Sequence, residues 1–114
     1  MIFRVLGILG ATIFISCVAT EQSLAEQPSF SCRGVTGLDE IAICQNPVLA
    51  RLDRQLQGIF DAAMDRLNRS DQVLLRETER RWLQRRANCG TNVDCLENQY
   101  QVRIGQLGAM LSGQ

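Results

Sequence analysis

From Asn46 onward, apolar residues return every three or four positions, and the pattern breaks only where stop and start signals for helices are written into the chain. That combination leaves few folds open. Leu49, Leu52, Leu56, Ile59, Phe60, Ala63 and Leu67 form one stripe of a 3.6-residue repeat, which buries one face of a helix and exposes the other. Asn46-Pro47 starts this helix: the Asn side chain caps free amides, and Pro at the first helical position gives up an N–H that has no partner there anyway. The stripe predicts a helix from Pro47 to about Asn68.

Three further helices follow from the same reading. Ser70 is the expected cap of a helix that carries Leu74, Leu75, Thr78, Trp82 and Leu83 and runs to about Asn88, with Gly90 as its left-handed stop. Thr91-Asn92-Val93-Asp94 reads as a capping box that sets Cys95 in the first turn of a last helix, with Leu96, Tyr100, Ile104, Leu107 and Leu111 as its stripe. Upstream, Thr36-Gly37-Leu38-Asp39 reads as another capping box, with a short helix to about Cys44. Short connections between long amphipathic helices make sequence neighbours antiparallel. The predicted fold class is all-α: a small up-down bundle of three long helices plus a short N-terminal helix.

The first 25 residues do not belong to that bundle. Arg4, the apolar run Val5 to Ala19 and the small-x-small pattern Ser23-Leu24-Ala25 have the order of a secretory signal peptide, with cleavage after Ala25. A membrane span needs about 20 apolar residues, and this run is shorter. Phe14-Ile15-Ser16-Cys17 also resembles a bacterial lipobox, in which Cys17 would be lipidated and become the new N-terminus. Both cleavage routes stay open, and both leave residues 26–114 as the folded domain with four cysteines.

Four cysteines in an exported chain of this size imply two disulfides, because a small domain buries a modest core and uses cross-links to supplement it. Three pairings are possible. Locality favours Cys32 with Cys44 and Cys89 with Cys95.

Composition removes most catalytic classes. The chain contains no His and no Lys. Without His there is no Ser-His or Cys-His nucleophile pair, and without Lys there is no P-loop lysine or Schiff base. A four-thiolate zinc site prefers closely spaced cysteine pairs, and a redox pair prefers Cys-x-x-Cys; neither spacing is present. Removing residues 1–25 takes one Arg and one Glu from the 12 basic and 12 acidic residues, so the mature domain is neutral. Nucleic-acid and polybasic membrane binding are therefore disfavoured. The acid pairs Asp61 with Asp65 and Asp39 with Glu40 read as a solvated face and a helix start, since Asp65 also stands four before Arg69. The expectation is a protein with no enzymatic activity, no cofactor and no metal.

Ordered motifs give the chain a resemblance. Phe30-x-Cys32, Ile43-Cys44, Pro47, Leu49-Ala50-x-Leu52-Asp53-x-x-Leu56, Trp82-Leu83-x-x-Arg86-x-x-Cys89, Cys95-Leu96 and Tyr100-x-x-Arg103-Ile104-x-x-Leu107 stand in the order found in small exported bacterial proteins. On these residues the chain resembles the LprI lysozyme inhibitor family. Phe60 stands where that pattern often has Tyr, and Glu79 stands where Gln is usual. The resemblance implies a helical, disulfide-bearing envelope domain with a protein partner, for which a lysozyme is the example.

Among the charged motif residues, Asp53, Arg86 and Arg103 are expected to bridge the three long helices, and Trp82 and Tyr100 to lie in the core. Arg76, Arg80, Arg81, Arg85 and Arg86 concentrate five guanidiniums on one helix, with Glu77 placed to pair with Arg81. Arg69, Arg81 and Arg85 are the candidates for contact with a partner.

Overall fold

A computed structural model describes residues 10, 13, 15 and 26–113 of the chain. Apart from residues 10, 13 and 15, the segment expected to be a signal peptide, with Cys17, lies outside the described residues. Four helices follow an irregular arm: α1 (Leu38–Gln45), α2 (Pro47–Arg66), α3 (Arg69–Asn88) and α4 (Val93–Leu111), with no strand among the described residues. No helix among these is long and apolar enough to cross a membrane.

Local chemistry explains where each helix starts. Asn46 Oδ1 accepts the amides of Val48 and Leu49, with Pro47 behind it at the first helical position. The other three starts differ from the expected caps. Asn68, not Ser70, caps α3 through the amide of Asp71, because α2 already ends at Arg66 and only Leu67 and Asn68 make the turn. That early end also puts Asp65 and Arg69 on different helices, so they are not neighbours on one helix face as expected. Asn92, not Thr91, caps α4 through the amide of Cys95. Where two capping residues adjoin, the side chain that reaches the third residue's amide takes the role.

At α1 the N-cap is Gly37, without a side-chain cap, rather than Thr36. Asp39 does not reach back to the helix start; it turns inward and is 5 % exposed. Gly90 adopts φ +56°, the left-handed stop that glycine takes without steric cost. A Cβ on Gly58, Gly105 or Gly108 would meet nothing within 4 Å, so these three glycines mediate no close helix approach.

The tightest helix pairing is α2 with α4, which are separated in sequence by α3. Tyr100 of α4 bonds Asp53 of α2, and Arg66 at the end of α2 donates to the carbonyl of Leu111 at the end of α4, so these two helices run in the same direction. Alternation through α3 requires this: each short turn reverses direction, and two reversals restore it. Ile43, Leu49, Leu96, Tyr100 and Leu107 fill the centre and are completely buried. Trp82 of α3 meets Tyr100 edge to face, ring centroids 5.2 Å apart, and its indole N–H donates to the Gln99 carbonyl. Leu74 and Leu83, expected in the stripe of α3, are exposed instead.

Two disulfides fasten the periphery. Cys32–Cys44 ties the arm to the end of α1, and Cys89–Cys95 closes the turn between α3 and α4. The four described cysteines are thus oxidised in local pairs.

Candidate functional site

A buried polar network sits where the arm, α1, α2, α3 and α4 converge. Asp53 is its centre. Its Oδ2 accepts the backbone N–H and the hydroxyl of Ser29 at 2.7 and 2.5 Å, and its Oδ1 accepts the Tyr100 hydroxyl at 2.8 Å. Arg86 spans from Asp53 to α1: Nη1 stands 3.7 Å from Asp53 and donates to the Tyr100 oxygen, while Nε donates to Asp39 Oδ2 at 2.8 Å. Its guanidinium carbon lies 5.6 Å from the Phe30 ring centroid and 5.9 Å from that of Trp82.

Burial makes this arrangement demanding. Asp39, Asp53, Arg86 and Arg103 are each less than a tenth exposed, and an ion held there needs a partner and hydrogen bonds to offset its lost hydration. No buried polar side-chain atom among the described residues lacks a hydrogen bond. Burial raises the Tyr100 phenol well above the ordinary tyrosine range, and the charge of Asp53 raises it further, against a smaller opposing pull from Arg86. Burial also pulls the Arg86 guanidinium down, but the Tyr100 oxygen and the Asp39 carboxylate, both bonded to it, leave it above its usual value.

The expected three-helix bridge divides in two. Arg86 and Asp53 meet, while Arg103 turns away to Glu79, with which it makes two bonds at 2.7 and 3.1 Å, and to the Thr78 hydroxyl at 3.0 Å. Asp39 and Glu79 supply the missing carboxylates. Sequence reading assigned Asp39 to a cap and noted Glu79 as a departure from the family pattern. The available signal was their spacing: Glu79 stands three before Trp82 and seven before Arg86, on the same helical face.

The arginine-rich face of α3 is thinner than five residues. Arg86 is part of the buried network and leaves it. Arg80 and Arg81 are exposed and both bind Glu77, Arg81 at 3.5 Å. Arg85 is exposed and forms no ion pair among the described residues. Arg81 and Arg85 are one turn apart, whereas Arg69, the first residue of α3, stands about 18 Å along the axis from Arg81 and roughly 120° around it. The three candidate contact residues therefore do not share a face. Asp61 and Asp65 are exposed on α2, where Gln57 donates to Asp61, and they gather no other carboxylate.

Two grooves flank α3. One, of about 330 Å³, lies between the arm, α2 and α3, and its walls include Phe30, Glu40, Phe60, Glu79, Trp82 and Arg86. The other, of about 340 Å³, lies between α3 and α4 and is lined by Leu67, Leu74, Leu75, Leu107 and Met110 among others.

Residues 32–107 match the sequence profile of the family described as Lysozyme inhibitor LprI, which spans more than half of the chain. The chain belongs to the LprI family. No curated protein and no solved structure matches it. Of the motif residues read from the sequence, Phe30, Asp53, Leu56, Trp82, Leu83 and Arg86 line the groove between the arm, α2 and α3, and all but Phe30 lie within the matched LprI range. Arg69, Arg81 and Arg85 are not motif residues.

Proposed function

We propose that this protein is an exported envelope domain, freed from residues 1–25 or anchored at a lipidated Cys17, that binds and inhibits a lysozyme-type muramidase. Membership of the LprI lysozyme inhibitor family carries this reading. The rigid, disulfide-fastened bundle supports it, since a preordered surface loses little entropy on docking. The contact we propose is electrostatic: a guanidinium of α3 enters the muramidase cleft and meets its two catalytic carboxylates through charge-assisted hydrogen bonds. Arg85 leads among the three candidates because it is exposed with no ion pair among the described residues, ahead of Arg81, which shares Glu77, and Arg69, which stands on another face.

The test is lysis of peptidoglycan by a lysozyme in the presence of the purified exported protein. Inhibition at micromolar protein, weakened about tenfold by Arg85→Ala, is the expected result. Absence of inhibition at that concentration sinks the reading.

A second reading is an accessory module that packs on an envelope complex. The apolar groove between α3 and α4 favours it, with Leu74 and Met110 exposed at its edge. Co-purification with an endogenous complex, together with no effect on lysozyme, selects this one.

A further inference from the structure

The groove between the arm, α2 and α3 holds a hydrogen-bonding group that the network beneath it leaves unused. Arg86 is 8 % exposed, its Nε is taken by Asp39 and its Nη1 by Tyr100. Its Nη2 makes no hydrogen bond among the described residues. Since no buried polar side-chain atom there lacks a partner, Nη2 is reachable from outside, and Arg86 lines this groove. The floor therefore offers a charged donor to an acceptor atom.

The rim has the opposite character. Glu40 lines the same groove and has neither a hydrogen bond nor an ion pair among the described residues. Exposed Gln57 lines the same groove, with its amide nitrogen given to Asp61 and its carbonyl oxygen left to accept. Phe60, Trp82 and Leu83 supply apolar wall.

Charge balance then selects the ligand class. An anion would meet the carboxylates of Glu40, Asp53 and Glu79 around the same space. A cation would meet the Arg86 guanidinium at the floor. A neutral ligand avoids both penalties if it carries an acceptor at one end and donors at the other. Charged donors favour strong acceptors such as an amide carbonyl, and carboxylates favour hydroxyl and amide N–H donors. At about 330 Å³ the space suits a single ring with substituents, at the small end of ligand pockets.

We infer that the groove between the arm, α2 and α3 is a binding site for a neutral, ring-sized ligand bearing an amide carbonyl and hydroxyls, the chemistry of an N-acylated amino sugar. The amide carbonyl accepts from Arg86 Nη2, and the hydroxyls donate to Glu40 and Gln57. This site does not depend on inhibition of a muramidase, and it lies on a different side of α3 from Arg81 and Arg85.

Trp82 is the chain's single tryptophan and lines the groove, so its fluorescence is one signal that responds to occupancy of the site. The purified exported protein is titrated with N-acetylglucosamine, and separately with glucose, N-acetylglutamate and N-acetylarginine amide. The expected result is a saturable change with N-acetylglucosamine in the range of about 1 mM, a weaker one with glucose, and none with the two charged probes. Glu40→Gln and Gln57→Ala, both at the rim and outside the buried network, each weaken binding, the first about tenfold for the loss of a charge-assisted bond. Circular dichroism checks that both variants keep their helices. No saturable change, a stronger response to either charged probe, or unaltered affinity in Glu40→Gln overturns the assignment.

Discussion

Arg86 Nε donates to Asp39 Oδ2 at 2.8 Å across 47 residues of sequence, fastening the last turn of α3 to the first turn of α1. The same guanidinium reaches toward Asp53 and Tyr100, so one side chain holds α1, α2, α3 and α4 in register.

Removing it leaves the two buried carboxylates of Asp39 and Asp53 without their cation. Arg86→Met is expected to cost about 3 to 5 kcal/mol, the range for breaking a buried ion pair from one side. That is a large share of the roughly 5 to 15 kcal/mol that a domain has in total. Urea unfolding followed by Trp82 fluorescence measures it, as a lowered midpoint with unchanged slope. Arg86→Lys is not expected to rescue, since an ammonium cannot serve Asp39 and Tyr100 in the fixed fork of a guanidinium. A loss below about 1 kcal/mol would show that the pair is dispensable.

Tyr100 makes stability fall at alkaline pH. Its folded phenol titrates above its ordinary value of 10.0, so above that value the unfolded chain releases a proton that the folded one retains. The stabilisation is present in full below the ordinary value and is lost progressively as pH rises past it toward the raised one. Because this is the only tyrosine, tyrosinate absorbance reads it without interference. Ionisation should appear only together with unfolding, and Tyr100→Phe should abolish that alkaline step while costing about 1 to 3 kcal/mol at neutral pH through the hydroxyl donor lost to Asp53. A simple titration of Tyr100 in the folded protein near the ordinary value contradicts this.

The ion pairs made by Glu79 and by Glu77 of α3 should differ sharply in worth. Arg103 and Glu79 are 6 % and 19 % exposed, and Arg103 is also bound to Thr78. A double-mutant cycle of Arg103→Ala with Glu79→Ala is expected to give a coupling of about 1 to 3 kcal/mol. The pairs of Glu77 with Arg80 and Arg81 are exposed, and Glu77→Ala should change stability by no more than about 0.5 kcal/mol. Thermal unfolding of the variants compares the two, and equal effects would refute the ranking.

The two disulfides should not be equivalent either. Chain entropy alone gives about 2 kcal/mol for the Cys89–Cys95 loop and about 3 kcal/mol for the Cys32–Cys44 loop. Cys32–Cys44 also anchors the arm that brings Ser29 to Asp53 and Phe30 to Arg86. Paired Cys→Ser variants, compared by urea unfolding, should therefore show the larger loss at Cys32–Cys44. The reverse order would mean that the arm binds Asp53 without its tether.

Sequence alone determined the helices, because a 3.6-residue apolar repeat and a Gly or Pro stop act over a few residues. The Asn46-Pro47 start, the Gly90 stop and the local disulfide pairing were legible for that reason, and so was the burial of Trp82 and Tyr100. The caps at Asn68 and Asn92 were misplaced by one or two residues, since adjacent Asn, Ser and Thr compete for the same amides and only backbone geometry selects one. Tertiary structure alone decided which charges meet. A buried carboxylate is expensive wherever it lies, but the cost falls only when a cation arrives from another helix, and that depends on how α2 and α4 pack with α3 across them. Hence Asp39, spaced like a cap, became the partner of Arg86, and Arg103 found Glu79 instead of Asp53.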